Sequence, residues 1–256
     1  MTTTRKGSAN RADIPADVLA QLHAGTLETA TLAEGLAIDF ALLLANAVPD
    51  LPAESHAIVA GMAGQGVTRR METAAALLLA HLGVEGLSRI AKHPSDTVRG
   101  WACFAIGLAP KLKLKPRLEL IRPLADDPHF GVREWAWMPM RDHVRKNVTH
   151  AVAALKPWVK EESPFLRRFA VELTRPRGVW TGHVEQLKLN PELALPLLEP
   201  LKADLEKYVQ DSVANWLNDA GKSQPTWVKE LVTRWRKETN NHPATDRIIA
   251  RATRNL

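Results

Sequence analysis

The fold is decided by the stretch Leu166-Arg-Arg-Phe-Ala-Val-Glu-Leu-Thr-Arg-Pro-Arg-Gly-Val-Trp180. Its first part has apolar residues at i, i+3, i+4 and i+7, which predicts one face of an amphipathic helix. Pro176 is expected to end this helix, because a proline disfavours the α conformation of the residue before it. Arg168 and Glu172 lie four residues apart on another face, where they form either an ordinary surface ion pair worth about 0.3 kcal/mol or part of a functional cluster.

The hexapeptide at the start of this stretch recurs along the chain. Its copies begin at Thr97, Gly131, Phe165 and Tyr208, with a weaker fifth copy at Asp246. Their first apolar residues, which we call anchors, are spaced 34, 34 and 43 residues apart and are Val98, Val132, Leu166 and Val209. Two-helix units with such periods are typical of HEAT and armadillo proteins. We therefore predict an all-α fold, a right-handed α-solenoid of HEAT-like (ARM-type) helical repeats.

The repeat allows equivalent positions to be compared across units. Positions 0, +3, +4 and +7 from each anchor form the predicted core face, in which Ser212 is the one polar residue. Positions +2, +6 and +10 form a second face that carries acidic residues in three successive units: Glu134, Asp142, Glu172, Asp211 and Asp219. This second face is either a solvated polar surface or an acidic strip along a groove. Trp137 lies off the core face, and we predict it to be a surface aromatic.

Composition limits the class of protein. The 256 residues are 45% hydrophobic and carry a net charge of +6, with a pI of about 9.6. A basic balance suits a polyanionic partner such as nucleic acid. The lone Cys103 fits a reducing compartment, and no apolar run approaches the roughly 18 residues of a membrane span, so a cytoplasmic protein is predicted. Residues 1–11 are predicted to be a disordered tail, and 12–256 a single HEAT-like repeat domain.

Carboxylates among arginines suit a target that is itself cationic. An N-alkylated purine in DNA carries a positive charge, and its glycosidic bond breaks through an oxocarbenium-like transition state. A carboxylate about 4 Å from that charge contributes about 4 kcal/mol at an effective dielectric constant of about 20. Arginines can hold the flanking phosphates. Nothing in the histidine and cysteine spacing predicts a metal site, and no cofactor is expected.

Three segments resemble sequence signatures of a known family. Arg167–Trp180 contains Glu-x-Thr-Arg-Pro-Arg-x-x-Trp, a signature of AlkC-type alkylpurine DNA glycosylases, which belong to the HEAT-like AlkC/AlkD superfamily. Tyr208–Asp219 resembles the second signature, Tyr-Val-x-x-Ser-Val-Ala-Asn-x-Leu-Asn-Asp. Glu134–Pro139 resembles a third and weaker one. The resemblance implies excision of cationic bases of the 3-methyladenine type without metal or cofactor. We expect double-stranded DNA with alkylated bases to be the partner, and we expect the protein to be a monomer.

The resemblance also implies roles for individual residues. The acids at matching positions are implied to be catalytic: Glu134, Glu172 and Asp219. Arg168 is implied to be a site arginine, and Trp180 an aromatic residue that contacts the base or sugar. We expect three further residues to contact substrate or DNA: Arg175, Arg177 and Trp137. Met138 and Gln210 depart from the basic residues usual in the signatures. A second interpretation therefore stays open, that of a non-catalytic HEAT-repeat module that binds DNA or protein. The sequence specifies neither the preferred alkylated base nor whether that base leaves the helical stack.

Overall fold

The computed structural model describes residues 5–256, and no β-strand occurs in this range. Short 3₁₀ turns at Arg11–Asp13, Trp158–Lys160, Pro191–Ala194 and Glu199–Leu201 supplement the α-helices. In chain order, the α-helices are α1 (Ala16–Ala24), α2 (Leu32–Ala37), α3 (Phe40–Ala47), α4 (Ala53–Gly61), α5 (Val67–Ile90), α6 (Asp96–Leu108), α7 (Leu114–Ala125), α8 (Phe130–Trp137), α9 (Arg141–Lys146), α10 (Val148–Leu155), α11 (Pro164–Leu173), α12 (Glu185–Leu189), α13 (Leu195–Leu198), α14 (Lys207–Gly221), α15 (Pro225–Glu238) and α16 (Pro243–Ala252). The predicted all-α class is confirmed.

The described residues group into two compact units. The N-terminal unit extends to Leu112 and includes Asp127–Pro139, whereas the C-terminal unit comprises Lys113–Asp126 and Met140–Leu256. In the N-terminal unit, α6 packs against α5 and α8. In the C-terminal unit, α14 packs against α11, α15 and α16. The repeat helices are distributed over both units, and the single repeat domain from residue 12 onward stays a prediction.

The predicted repeat corresponds to real helices. The five copies form α6 and α8 in the N-terminal unit and α11, α14 and α16 in the C-terminal unit. All four anchors are buried, with at most 3% of their surface exposed. The polar exception on the core face, Ser212, is also buried. The period therefore identifies the helices whose apolar faces build each core.

A side chain one residue after the anchor fastens the start of each of four repeat helices. Nη1 of Arg99, Arg133 and Arg167 donates in each case to two backbone carbonyls just before the helix. Arg167 also forms a two-pronged bond with Asp204, at 2.7 and 3.1 Å. Gln210 takes this position in α14, where it is buried and donates from Nε2 to the carbonyl of Asp204 at 2.8 Å. Gln210 therefore takes the place of an arginine that binds backbone carbonyls in the other repeats, and its presence does not remove an exposed cation.

The segment predicted to be a disordered tail is held against α2 in its described part. Residues 1–4 lie outside the described range. Arg5 donates from Nη1 and Nη2 to the two carboxylate oxygens of Glu34, both at 2.7 Å, and the Ser8 backbone N–H donates to the same carboxylate at 3.1 Å. Glu34 is fully buried. These contacts lower the pKa of Glu34 to about 2, because the hydrogen bond from Arg5 outweighs the effect of burial.

Within residues 5–256, none of the helices combines the length and the apolar character needed to cross a bilayer.

Candidate active site

Helix α11 carries the first carboxylate of the site. Its start is defined by Ser163, whose hydroxyl accepts from the Phe165 N–H, and by Pro164 in the first turn, where the missing N–H costs nothing. Its end at Leu173 confirms the stop predicted from Pro176. The amphipathic face is buried, and Glu172 in the last turn is buried with it. The interpretation of Glu172 as a solvated surface acid is therefore wrong.

Residues 174–184, which we call the site loop, connect α11 to α12. The Val184 N–H donates to the Pro176 carbonyl at 2.9 Å and closes the loop. The Trp216 indole N–H, on α14, donates to the Thr174 carbonyl at 2.9 Å. Helix α14 therefore holds the start of the loop.

The guanidinium of Arg175 binds both of the carboxylates that the sequence placed on the second face of neighbouring repeats. Arg175 donates from Nη1 to Glu172 Oε2 at 3.1 Å. Its Nε and Nη2 donate to Asp219 Oδ2 at 2.9 and 2.8 Å. Glu172 is 2% exposed and Asp219 is 5% exposed. The expectation that these two acids converge is confirmed by this geometry, with a bound arginine between them.

Glu172 is held in its charged form. Ser212 donates its hydroxyl to Glu172 Oε1 at 2.6 Å, and Arg168 Nη2 lies 3.6 Å from the same oxygen. Burial raises the pKa of this carboxyl, but Arg168, Arg175 and the Ser212 hydroxyl together outweigh burial, so the pKa lies below its ordinary value. Arg168 also lies over the Tyr208 ring, 4.3 Å from its centroid. A buried acid that is ionised at neutral pH is suited to stabilising positive charge.

The arginines implied to contact DNA point toward protein groups in the structure. Arg175 loses hydration on burial, yet the charges of Glu172 and Asp219 outweigh that loss and raise its pKa. Arg177 donates from Nε to the Asp219 carbonyl at 3.2 Å and from Nη2 to Ser223 Oγ at 2.7 Å. Both side chains therefore organise the surroundings of Asp219.

Trp180 is the aromatic residue that the site loop exposes. It is 57% exposed, and its neighbour Val179 is 70% exposed. Nearby residues of the loop fold back, because the Gly178 N–H donates to His183 Nδ1 at 3.1 Å. An exposed tryptophan on a closed loop is available to contact a base or sugar.

The two remaining predicted site residues, Glu134 and Trp137, lie on α8 in the N-terminal unit. The indole N–H of Trp137 donates to Glu134 Oε2 at 3.1 Å. Trp137 is 5% exposed, so the prediction of a surface aromatic is wrong: its ring packs into the unit while its N–H binds the acid. Trp135, predicted to be a core residue, is more exposed than Trp137. Helix α8 is short and ends at Trp137, so position +7 of the predicted core face lies beyond the end of the helix.

Two residues at the site were not predicted to belong to it. Ser212 had a signal, because it is the polar exception on the core face. Arg141 had none. It is 1% exposed and donates to four backbone carbonyls: Glu172 at 3.2 Å, Leu173 at 3.3 Å, Arg175 at 2.8 Å and Gly182 at 3.2 Å. Burial and the neighbouring Arg175 lower the pKa of Arg141 to about 10, so it remains a cation at neutral pH.

The described residues contain no group of three or more His, Cys, Asp or Glu side chains arranged to hold a metal ion. The polar atoms of the site are instead carboxylates, guanidinium groups and a hydroxyl that bind one another.

Part of the chain is similar to a family of known proteins. Residues 131–253, which include α11, the site loop and α14, match the family model described as DNA alkylation repair enzyme. The YhaZ protein of Bacillus subtilis strain 168 is 34% identical over 138 residues, a match that covers 54% of this chain and 37% of that protein.

Two solved structures have a similar fold. The alkylpurine DNA glycosylase AlkC of Pseudomonas fluorescens, bound to DNA containing an abasic site analog, superposes with a TM-score of 0.67 and 25% identity, covering 84% of this chain and 60% of that one. AlkD2 from Streptococcus mutans superposes with a TM-score of 0.60 and 23% identity, covering 79% and 99%. The chain spans less than two thirds of the length of YhaZ and of AlkC. Residues 131–253 therefore resemble DNA alkylation repair enzymes, and the solved structures share the helical-repeat fold of this chain.

Proposed function

We propose that the chain is a monofunctional DNA N-glycosylase of the AlkC type, which excises cationic N-alkylated bases such as 3-methyladenine from double-stranded DNA. The observation that carries the proposal is the pair of buried carboxylates, Glu172 and Asp219, bound to the single guanidinium of Arg175. A pair of anions arranged around one cation is chemically suited to a substrate that is itself a cation.

The proposed chemistry is electrostatic. Loss of an alkylated base leaves positive charge on the sugar in the transition state. Glu172 is ionised at neutral pH, because Arg168, Arg175 and Ser212 outweigh its burial. Carboxylates fixed in advance stabilise developing positive charge without reorganisation of solvent. One of them would also orient the attacking water.

The two carboxylates differ in how fully they are engaged. Both oxygens of Glu172 accept hydrogen bonds, from Ser212 and from Arg175. Asp219 Oδ2 accepts from Arg175 at 2.8 Å, whereas Oδ1 accepts a longer hydrogen bond of 3.5 Å from Nζ of the half-exposed Lys222. We therefore propose that both carboxylates act on the cationic sugar, and that Asp219 is the one whose less engaged oxygen lies nearest to it. Glu134 is proposed as a third acid on its signature alone.

The proposed DNA contacts lie around the site loop. Trp180 would contact the damaged nucleotide through its exposed ring, and a tryptophan face contributes about 2 kcal/mol to a desolvated cation. Phosphate contacts would release counterions, so affinity for duplex DNA should fall steeply with salt. We propose that the protein acts as a monomer and needs no cofactor.

The direct test is incubation with a methylated duplex, followed by chromatography of the released bases. We expect free 3-methyladenine and abasic sites in the DNA, at a rate proportional to protein concentration. The matched control is the Glu172→Gln protein, prepared in parallel to exclude a contaminating glycosylase. Absence of released base at protein concentrations that saturate the DNA would refute the proposal.

A second candidate is a non-catalytic HEAT-repeat module that binds DNA or protein. The engagement of both Glu172 oxygens by protein groups favours it, because these contacts also fit a purely structural cluster. Such a module would bind duplex DNA with the same salt dependence but release no base. Binding and excision measured on the same duplex therefore separate the two functions.

A further inference from the structure

The inference concerns Arg141, which none of the sequence signatures includes. We propose that Arg141 is a positioning residue of the site, and that it fixes the site loop relative to the carboxylate pair; this role rests on the proposed glycosylase function. Arg141 is 1% exposed, and each of its four bonds is to a backbone carbonyl rather than to a carboxylate. It touches no group that would react, so its effect must act through the backbone.

The four carbonyls come from three places in the chain. Glu172 and Leu173 lie in the last turn of α11, where carbonyls lack partners within the helix. Arg175 is at the start of the site loop and Gly182 is near its end. One planar group therefore ties the helix end that carries the first carboxylate to both sides of the loop that carries Trp180.

An arginine is needed for this arrangement. Its guanidinium offers five N–H donors in a fixed planar fork, and Nη1 and Nη2 of Arg141 each serve two carbonyls. A lysine is cationic and of similar reach, but its donors radiate from one atom and cannot span the same four oxygens. The Arg141→Lys substitution therefore keeps the positive charge but removes the planar arrangement of donors that reaches all four carbonyls.

The same unit contains a matched control. Arg167 fastens the opposite end of α11: it donates to the carbonyls of Glu161 and Glu162 and to the carboxylate of Asp204. It makes no contact with the site loop or with either carboxylate of the pair. Arg167→Lys is thus the same chemical change at a position with a structural role.

The experiment measures single-turnover excision of 3-methyladenine, affinity for the duplex and melting temperature for the parent, Arg141→Lys and Arg167→Lys. A misplacement of about 1 Å can cost about 100-fold in rate. We expect Arg141→Lys to lower the saturating rate by about 10- to 100-fold while the Kd changes by less than about threefold. We expect Arg167→Lys to lower the melting temperature while its saturating rate stays close to that of the parent.

If Arg141→Lys does not fold, a second variant with a change in the site loop tests the same role. A Cβ at Gly178 would clash with the backbone carbonyl of Thr181, so Gly178→Ala must shift the exposed tip of the loop. We expect it to lower the saturating rate with little change in melting temperature. A folded Arg141→Lys protein, or a Gly178→Ala protein, that excises at the parental rate would overturn the role of Arg141 while leaving the glycosylase intact. Lack of excision by the parent would instead refute the proposed function and this role together.

Discussion

Replacement of Glu172 by glutamine tests the carboxylate pair. Glutamine keeps the shape and an oxygen that can accept the Ser212 hydroxyl, but it removes the negative charge. A carboxylate about 4 Å from the cationic sugar contributes about 4 kcal/mol at an effective dielectric constant of about 20, which is about 1,000-fold in rate. Arg168 and Arg175, at 3.6 and 3.1 Å, offset part of this contribution. We therefore expect a rate loss of at least about 100-fold.

The same substitution should also lower stability, because Glu172 is buried. Removing one partner of a buried ion pair costs about 3–5 kcal/mol. Arg175 keeps its second partner, Asp219, so we expect the lower end of that range. Since the folded-state pKa of Glu172 is lowered, the stability it contributes is present above pH 4.5 and is lost as the pH falls below that value. The difference in stability between parent and variant should therefore shrink in acid.

The assay is single-turnover release of 3-methyladenine with protein in excess over DNA, at a temperature at which circular dichroism shows both proteins folded. The matched control is Asp204→Asn. Asp204 is paired with Arg167 in the same unit and its side chain is 6% exposed, so this change also removes a buried charge, but away from the site loop. We expect the control to lose stability and to keep its rate within about threefold of the parent.

Two outcomes would refute the reasoning. A folded Glu172→Gln protein that excises at the parental rate would show that its charge plays no part in the reaction. An equal loss of rate in Asp204→Asn would show that the rate follows the stability of the unit and not the charge at the site.

The remaining predictions concern three other positions. Asp219→Asn removes the negative charge that binds Arg175 through two bonds and, like Glu172→Gln, should lower the single-turnover rate by at least about 100-fold; the double variant with Glu172→Gln should lose less than the two single losses combined, and additivity would show that the acids act independently. Trp180→Ala should weaken binding to a lesion-containing duplex by about tenfold, with an unchanged melting temperature because the ring is exposed, and equal affinity by titration would contradict this. Arg5→Ala leaves the buried Glu34 carboxylate without its cation and should cost about 2 kcal/mol at pH 7. Since the folded-state pKa of Glu34 is lowered to about 2, the stability from this pair is lost as the pH falls from 4.5 to about 2, so an identical acid-unfolding curve for the variant would refute the role of Arg5.

The periodic features of the sequence predicted the helices and the carboxylate pair. Leu166 and Val209 are equivalent by the repeat, and both are buried anchors of helices that pack together in one unit. Equivalence of the anchors brings positions +6 and +10 of neighbouring helices close, which is why Glu172 and Asp219 meet. Side-chain period and repeat spacing are properties of the sequence alone, so this part of the site could be predicted.

The partners of these acids could not be predicted in the same way. In the sequence, Arg175 follows α11 on a loop, which is typical of an exposed cation. In the structure, its guanidinium instead lies between two carboxylates. Arg141 lies in a short helix with no periodic signal, and the four carbonyls that it binds are assembled by the tertiary fold. The prediction that Trp137 is a surface residue was wrong because α8 ends after eight residues. The core face predicted for a longer helix therefore does not describe the end of α8.

The two departures from the family signatures carry less weight in the structure than in the sequence. Gln210 is buried and makes the carbonyl contact that the arginines of three other repeats make, so a basic residue there would not be available to a phosphate. Met138 is 6% exposed and is likewise unavailable at the surface. The case for a non-catalytic module therefore cannot rest on these substitutions, and it depends instead on whether the charge of the carboxylate pair can be used while Arg175 is bound between its two members.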